Sequence, residues 1–191
     1  MSQALESALA IYNHPTRVVG PAQQAILGFG ARFATGTVGM ERAATGELGY
    51  HFVGPVSTPE AASVCPSLRE VQSRLDATVA RISNESSGLS PSQFGTAVHL
   101  DMQRQIQALK DPNFVAELST LNGLPATYGT RGSVRVDILE NVSIDKVCVY
   151  DIKTGLGGLS ELRIRSLALE SFKHFGKIPE SIYITEVRPT R

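Results

Sequence analysis

Three residues in the second half of the chain have the side chains for chemistry on a phosphate. Asp137 lies in the alternating run 133–139, where Val134, Val136 and Ile138 share one face and Arg135, Asp137 and Leu139 the other. Asp151 and Lys153 are two residues apart in the later run 146–154. Strand residues two apart point to the same side, about 6.6 Å from one another along the backbone. If the two runs pair, two carboxylates and one ammonium meet at one edge of a sheet. Two carboxylates completed by carbonyl and water oxygens form a hard-oxygen site suited to Mg²⁺ or Mn²⁺ rather than zinc. A lysine beside such an ion orients or deprotonates a water, or stabilises charge building on a phosphate oxygen. The chemistry this equipment suits is phosphodiester hydrolysis.

The elements that must position these residues are readable around them. Ser92 is the expected cap of a helix running to about Leu109, with Phe94, Val98, Met102, Ile106 and Leu109 on one face. Asp111-Pro112-Asn113 stops it, and a short strand follows over 114–119. A glycine-rich loop then leads to Gly132 and the strands 133–139 and 146–154. Ser160 opens a second helix ending near Phe175 at Gly176, and 181–187 is a last strand. Gly155, Gly157 and Gly158 precede that helix, but no Gly-Lys-Ser/Thr follows, so they read as a turn and not a phosphate loop. The predicted order is helix, three strands, helix, strand: an α/β domain with a mixed sheet flanked by helices, over residues 92–191.

Upstream, residues 1–84 read as a helical, glycine- and alanine-rich region. Residues 3–12 suit a short helix ended by Asn13-His14-Pro15, and 22–45 are helix-permissive but interrupted by glycine. Leu68, Val71, Leu75, Val79 and Ile82 form a clear helical stripe. The polar string Asn84-Glu85-Ser86-Ser87-Gly88 places a boundary near 84–91.

Composition excludes several classes. Among 191 residues, 18 basic and 18 acidic side chains cancel, which argues against a binder driven by bulk positive charge. No stretch approaches the ~18 apolar residues of a spanning helix, and the start lacks a basic leader segment, so neither membrane insertion nor a cleaved export signal is expected. Cys65 and Cys148 form no C-x-x-C pair, which excludes zinc ribbons and four-cysteine clusters and makes a reduced compartment the simpler expectation.

The pattern Asp137 … Asp151-Ile152-Lys153, within this order of elements, resembles the PD-(D/E)XK nuclease superfamily. Val149-Tyr150-Asp151-Ile152-Lys153-Thr154-Gly155 is similar to the RecB-type branch, as is Gly95-Thr96-Ala97-Val98-His99, a histidine on the first helix after a glycine. The resemblance covers about residues 92–187 and implies a restriction-endonuclease-like fold. It also implies metal ligation (Mg²⁺ or Mn²⁺) by Asp137, Asp151, the Ile152 carbonyl and His99, with Lys153 serving the attacking water. Glu117 is a further candidate ligand. Where RecB-type enzymes place a Gln and a Tyr one helical turn apart, this chain has Glu161, Arg163 and Arg165.

The run Tyr128–Ser133 through Arg135-Val136-Asp137 also resembles nuclease toxin domains of bacterial secreted effectors. That likeness implies delivery without a cleavable signal (type VI or contact-dependent), action on DNA in the target-cell cytoplasm, a cognate immunity protein and a secretion carrier or adaptor. Arg131, Arg135, Arg163 and Arg165 are the expected basic rim for the DNA backbone.

Plainer readings stand beside these. Asp151 and Lys153 also suit an exposed edge-strand pair, His99 a structural histidine, Glu117 a solvent-facing strand residue, and Arg165 a partner for Glu161. The alternative functions are a cytoplasmic DNA-repair or phage-type exonuclease and an inactive binding or adaptor module.

Overall fold

The two runs that carry the carboxylates pair antiparallel as neighbours at the centre of a single mixed sheet. The computed structural model describes the backbone of residues 26–32, 49–121, 124–175, 179 and 181–190. From Val56 onward it also describes the side chains, except at positions 161, 165, 169, 172 and 173. The helix expected over 3–12 and the stop at Gly176 lie outside the described residues.

The strands are β1 (Ile26–Arg32), β2 (Gly49–Pro55), β3 (Phe114–Leu121), β4 (Leu124–Pro125), β5 (Val134–Ser143), β6 (Lys146–Ile152) and β7 (Ser181–Val187). The helices are α1 (Thr58–Val64), α2 (Leu68–Glu85), α3 (Pro91–Ala108) and α4 (Glu161–His174). Among the described residues seven strands line up as β2-β1-β7-β6-β5-β3-β4, antiparallel at every pairing except the parallel β6–β7 pair, whose strands are joined through α4. The chain is therefore α/β, with a mixed sheet flanked by helices; between α3 and α4 it has four strands where three were expected, the short β4 being the addition.

Two apolar layers hold it together. On one face Leu68, Val71, Leu75 and Ile82 of α2, with Val98, Met102 and Ile106 of α3, pack on Ile138, Tyr150, Ile152 and Val187. On the other, Ile164, Leu167 and Ala168 of α4 cover Val147, Val149, Ile182 and Ile184. Full burial of each aliphatic side chain contributes about 1.5–3 kcal/mol before chain entropy is subtracted. Leu109, expected on the buried stripe of α3, is 43 % exposed because the helix has ended at Ala108. The cap of α3 is Ser90 rather than Ser92: its hydroxyl and the Gln93 side chain form a reciprocal capping box, with Pro91 at the first helical position.

The N-terminal region departs from its helical expectation. Residues 26–32 and 49–55 are strands that extend the sheet along the outer edge of β7. A glycine-interrupted segment is a poor helix former, whereas the free edge of β7 offers it a ladder of unpaired backbone groups. The polar string at 84–88 joins α2 and α3, two helices of the same layer, through a turn with Gly88 at φ +103°.

The cysteines also differ from expectation. Cys65 and Cys148 form a disulfide across 83 residues, tying the end of α1 to β6, and both are fully buried. Opposite Cys148 on β5, buried Glu140 accepts hydrogen bonds from the Ser67 hydroxyl at 2.6 Å and from the Tyr150 hydroxyl. Burial and the Glu140 charge hold the Tyr150 phenol well above its ordinary pKa.

Candidate functional site

The site forms where β3, β5 and β6 run side by side. Continuing the β5–β6 register one step beyond Ile138↔Tyr150 sets Asp137 opposite Asp151, and Glu117 lies between the pairs Ala116↔Ile138 and Leu118↔Val136. Three carboxylates thus occupy adjacent positions on three neighbouring strands.

At this level the regular alternation breaks. Ala116 and Ile138 pack into the core under α2 and α3, whereas Leu118 and Val136, two residues along, pack into the core under α4. A regular strand would have put each pair on one face; the face that had been read as Val134, Val136 and Ile138 is split after Val136. Glu117 provides the local cause, since its φ of +54° is the left-handed conformation, which costs a non-glycine residue about 1–2 kcal/mol. Such strain persists where the surroundings over-determine it. Here the break in alternation, with the strand register unchanged, leaves Glu117 and Asp137 in neither core and converging on α3.

His99 of α3 completes the group. Its Nδ1 lies 3.3 Å from Glu117 Oε1 and 3.6 Å from Asp137 Oδ1, and one donor atom from each of the three residues falls within 4.8 Å of the others. The close approach of α3 to the end of β6 depends on Gly95, where a Cβ would stand 3.0 Å from Thr154 Oγ1. The glycine ahead of the histidine and the threonine after the lysine therefore meet in space. Two carboxylates and an imidazole form a donor set that suits a divalent cation with mixed oxygen and nitrogen preference.

Asp151, an expected ligand, lies beside this group and is engaged by cations of the chain. It is fully buried; Arg163 of α4 binds its Oδ1 through Nε at 3.0 Å and Nη2 at 2.8 Å, while the Lys153 ammonium pairs with Oδ2. Ile152 meets the site through its N–H, which donates to Asp137 Oδ2 at 2.8 Å. Lys153 is one-quarter exposed and stands where the site opens to solvent.

Of the expected basic rim, Arg163 is partly buried and turned toward the cluster: besides Asp151 it donates to the Arg135 carbonyl at 2.7 Å and lies 4.0 Å from Asp137. Arg135 pairs with Glu117 Oε2 at 3.0 Å, so it too is engaged in the cluster. Arg131 is exposed on the loop before β5. The Arg165 side chain lies outside the described residues. The sequence reading also missed Glu186 and Arg188. Glu186 is fully buried and accepts from the Leu159 N–H at 2.8 Å, while Arg188 pairs with it and donates to the carbonyls of Gly155 and Gly157. These two brace the glycine-rich turn that carries α4, and Arg163, to the site. A carboxylate in line with the inward-facing Ile182 and Ile184 of strand 181–187 was the available signal.

Electrostatics follow the geometry. Burial, then the Asp151 charge, raise the Asp137 pKa to about 6 against the opposing pull of His99, Arg163 and the Ile152 N–H. A cation bound here would offset the burial that raises Asp137. Burial by itself would depress His99, but the Glu117 hydrogen bond and the charges of Asp137 and Glu117 outweigh it and raise the imidazole above its ordinary 6.5, against a smaller push from Arg135. Glu117→Gln keeps the shape and removes one of those charges. His99 in that variant is expected to titrate lower than in the parent, followed by imidazole NMR between pH 5 and 8; equal titration curves would dismiss the pairing.

No family model matches the chain, and neither the curated proteins nor the solved structures give a match. Among the described residues no helix is long and apolar enough to cross a membrane.

Proposed function

We propose that this chain is a metal-dependent nuclease of the PD-(D/E)XK type, with a restriction-endonuclease-like core formed by α3, β3, β5, β6, α4 and β7. The observation that carries the reading is the convergence of His99, Glu117 and Asp137 beside the Asp151–Lys153 pair. The hard oxygens of Asp137 and Glu117 with one imidazole fit Mg²⁺ or Mn²⁺, which those three residues would hold. Such an ion, when bound, acidifies water and neutralises charge on a phosphoryl oxygen. The chain's own residues supply the rest. The Ile152 N–H fixes the Asp137 carboxylate, Asp151 holds Lys153 at the mouth, and Lys153 orients the attacking water or meets the developing phosphate charge. DNA is the substrate in this reading, with the immunity protein and secretion carrier as the partners its resemblance implies.

A test is the cleavage of supercoiled plasmid with Mg²⁺, with Mn²⁺ and with EDTA, by the parent and by Lys153→Ala. Nicking is expected with metal, absent in EDTA, and slower by about 100-fold or more in the variant. Cutting that persists in EDTA, or is equal in the variant, would refute the reading. One observation favours a second reading, an inactive binding module: both oxygens of Asp151 are held by cations of the chain itself. That reading requires both plasmid and RNA to survive every metal condition with the protein folded.

A further inference from the structure

We infer that Tyr128 is a stacking platform for an unpaired nucleobase at the rim of this site, an inference resting on the nuclease reading above. The ring is 76 % exposed, although it stands on a well-tied loop. Two successive turns build that loop: the Thr130 N–H donates to the Thr127 carbonyl at 3.1 Å and the Ser133 N–H to the Thr130 carbonyl at 3.0 Å. The hydroxyls of Thr130 and Ser133 donate to the same two carbonyls at 2.7 Å. Gly129 and Gly132 supply the positive φ, +82° at each, and the Ala126 N–H anchors the loop to the Ser119 carbonyl of β3 at 2.9 Å. The aromatic side chain is thus presented to solvent from a pre-formed support, so little ordering cost remains for a ligand to meet.

The ring is also coupled to the acidic cluster. The Arg135 guanidinium carbon sits 5.6 Å from the ring centroid, and Nη1 lies 3.5 Å from the phenolic oxygen. The same guanidinium pairs through Nε with Glu117, which touches His99. One arginine therefore spans from the carboxylate cluster to the ring and backs it with positive charge. Aromatic faces stack any base, but only one that is not already stacked and paired in a duplex, and a guanidinium plane adds to such a stack. Exposed Arg131, in the same loop, is placed for the neighbouring phosphate. The substrate class this favours is a nucleic acid with an unpaired base near the scissile bond: a single strand, a frayed end or a flap.

The chain contains no tryptophan, so Tyr128→Trp creates a single reporter at the platform. Full-length parent, Tyr128→Trp, Tyr128→Phe and Tyr128→Ala are titrated in EDTA with a single-stranded oligonucleotide, an abasic strand of equal length and a blunt duplex, as DNA and as RNA. Quenching of the tryptophan by the base-bearing strand, and far less by the abasic strand or duplex, is expected. Tyr128→Phe should bind like the parent, and Tyr128→Ala more weakly by roughly 5- to 150-fold. Equal binding by Tyr128→Ala, or equal quenching by the abasic strand, overturns the platform; so does a loss in Tyr128→Phe as large as in Tyr128→Ala, which would assign the effect to the hydroxyl. If the parent still nicks plasmid while the platform fails, the nuclease reading survives; if the parent neither binds nor cuts any nucleic acid, both fall.

Discussion

Asp137→Asn is expected to stabilise the folded chain at neutral pH while reducing metal-dependent cleavage about a thousandfold, the several kcal/mol of charge stabilisation a lost metal site removes. The two effects share one cause. Asp137 is buried to 4 % exposure with Asp151 opposite, and its carboxyl titrates at about 6 rather than at its ordinary 3.8. The folded state therefore holds this proton more tightly than the unfolded chain does. Stability from that preference is complete below pH 3.8 and is lost as pH rises through about 6. Asparagine carries no charge at any pH, and its amide oxygen can still accept from the Ile152 N–H. The Tm of the variant should accordingly gain on the parent between pH 4 and 6, with the gap then holding to neutrality. Saturating Mn²⁺ should narrow that gap by stabilising the parent alone. A pH-independent gap would mean that Asp137 is not held at a cost, and Mn²⁺ stabilising both proteins equally would place the ion elsewhere.

The second large effect lies away from the cluster. Reduction of Cys65–Cys148, or the double change Cys65→Ala with Cys148→Ala, is expected to remove roughly 4–5 kcal/mol of stability, because the bond closes a long loop. Its ends are 83 residues apart, and it joins α1 to β6 three residues before Asp151. Against the about 5–15 kcal/mol that holds a typical domain together, this is a large share. Urea unfolding with and without reductant measures it directly; coincident midpoints would show that packing around the two sulfurs suffices alone. The pairing replaces the simpler expectation of free thiols and means that folding in oxidising surroundings gives the more stable form.

Much of the site was legible because its carriers obey short-range rules. The stripe of Phe94, Val98, Met102 and Ile106 marks a helix, and the β-branched runs at 133–139 and 146–154 mark strands wherever they occur in a chain. With Asp137, Asp151, Lys153 and His99 on those elements, adjacency of the strands was enough to bring them near one another. The register did so, and His99 reached the carboxylates across the gap that Gly95 leaves open.

What the tertiary structure decided is everything that depends on partners distant in sequence. Nothing local distinguishes Glu117 from a solvent-facing strand residue; its left-handed backbone falls where β3 and β5, still in register, send Leu118 and Val136 to one core and Ala116 and Ile138 to the other. Arg163 reads locally as a surface arginine of α4 and becomes the partner of Asp151 only when the Glu186–Arg188 brace sets the turn before that helix. The strand at 26–32 is completed by the edge of β7, and that at 49–55 by 26–32 in turn. From Leu68 onward periodicity thus determined the main helices and strands and, away from the break at Glu117 and Asp137, which side of each is polar. Whether those polar sides repel one another, pair, or leave one carboxylate wanting a cation was decided by long-range packing, because charge energies depend on distance and burial that no local pattern encodes.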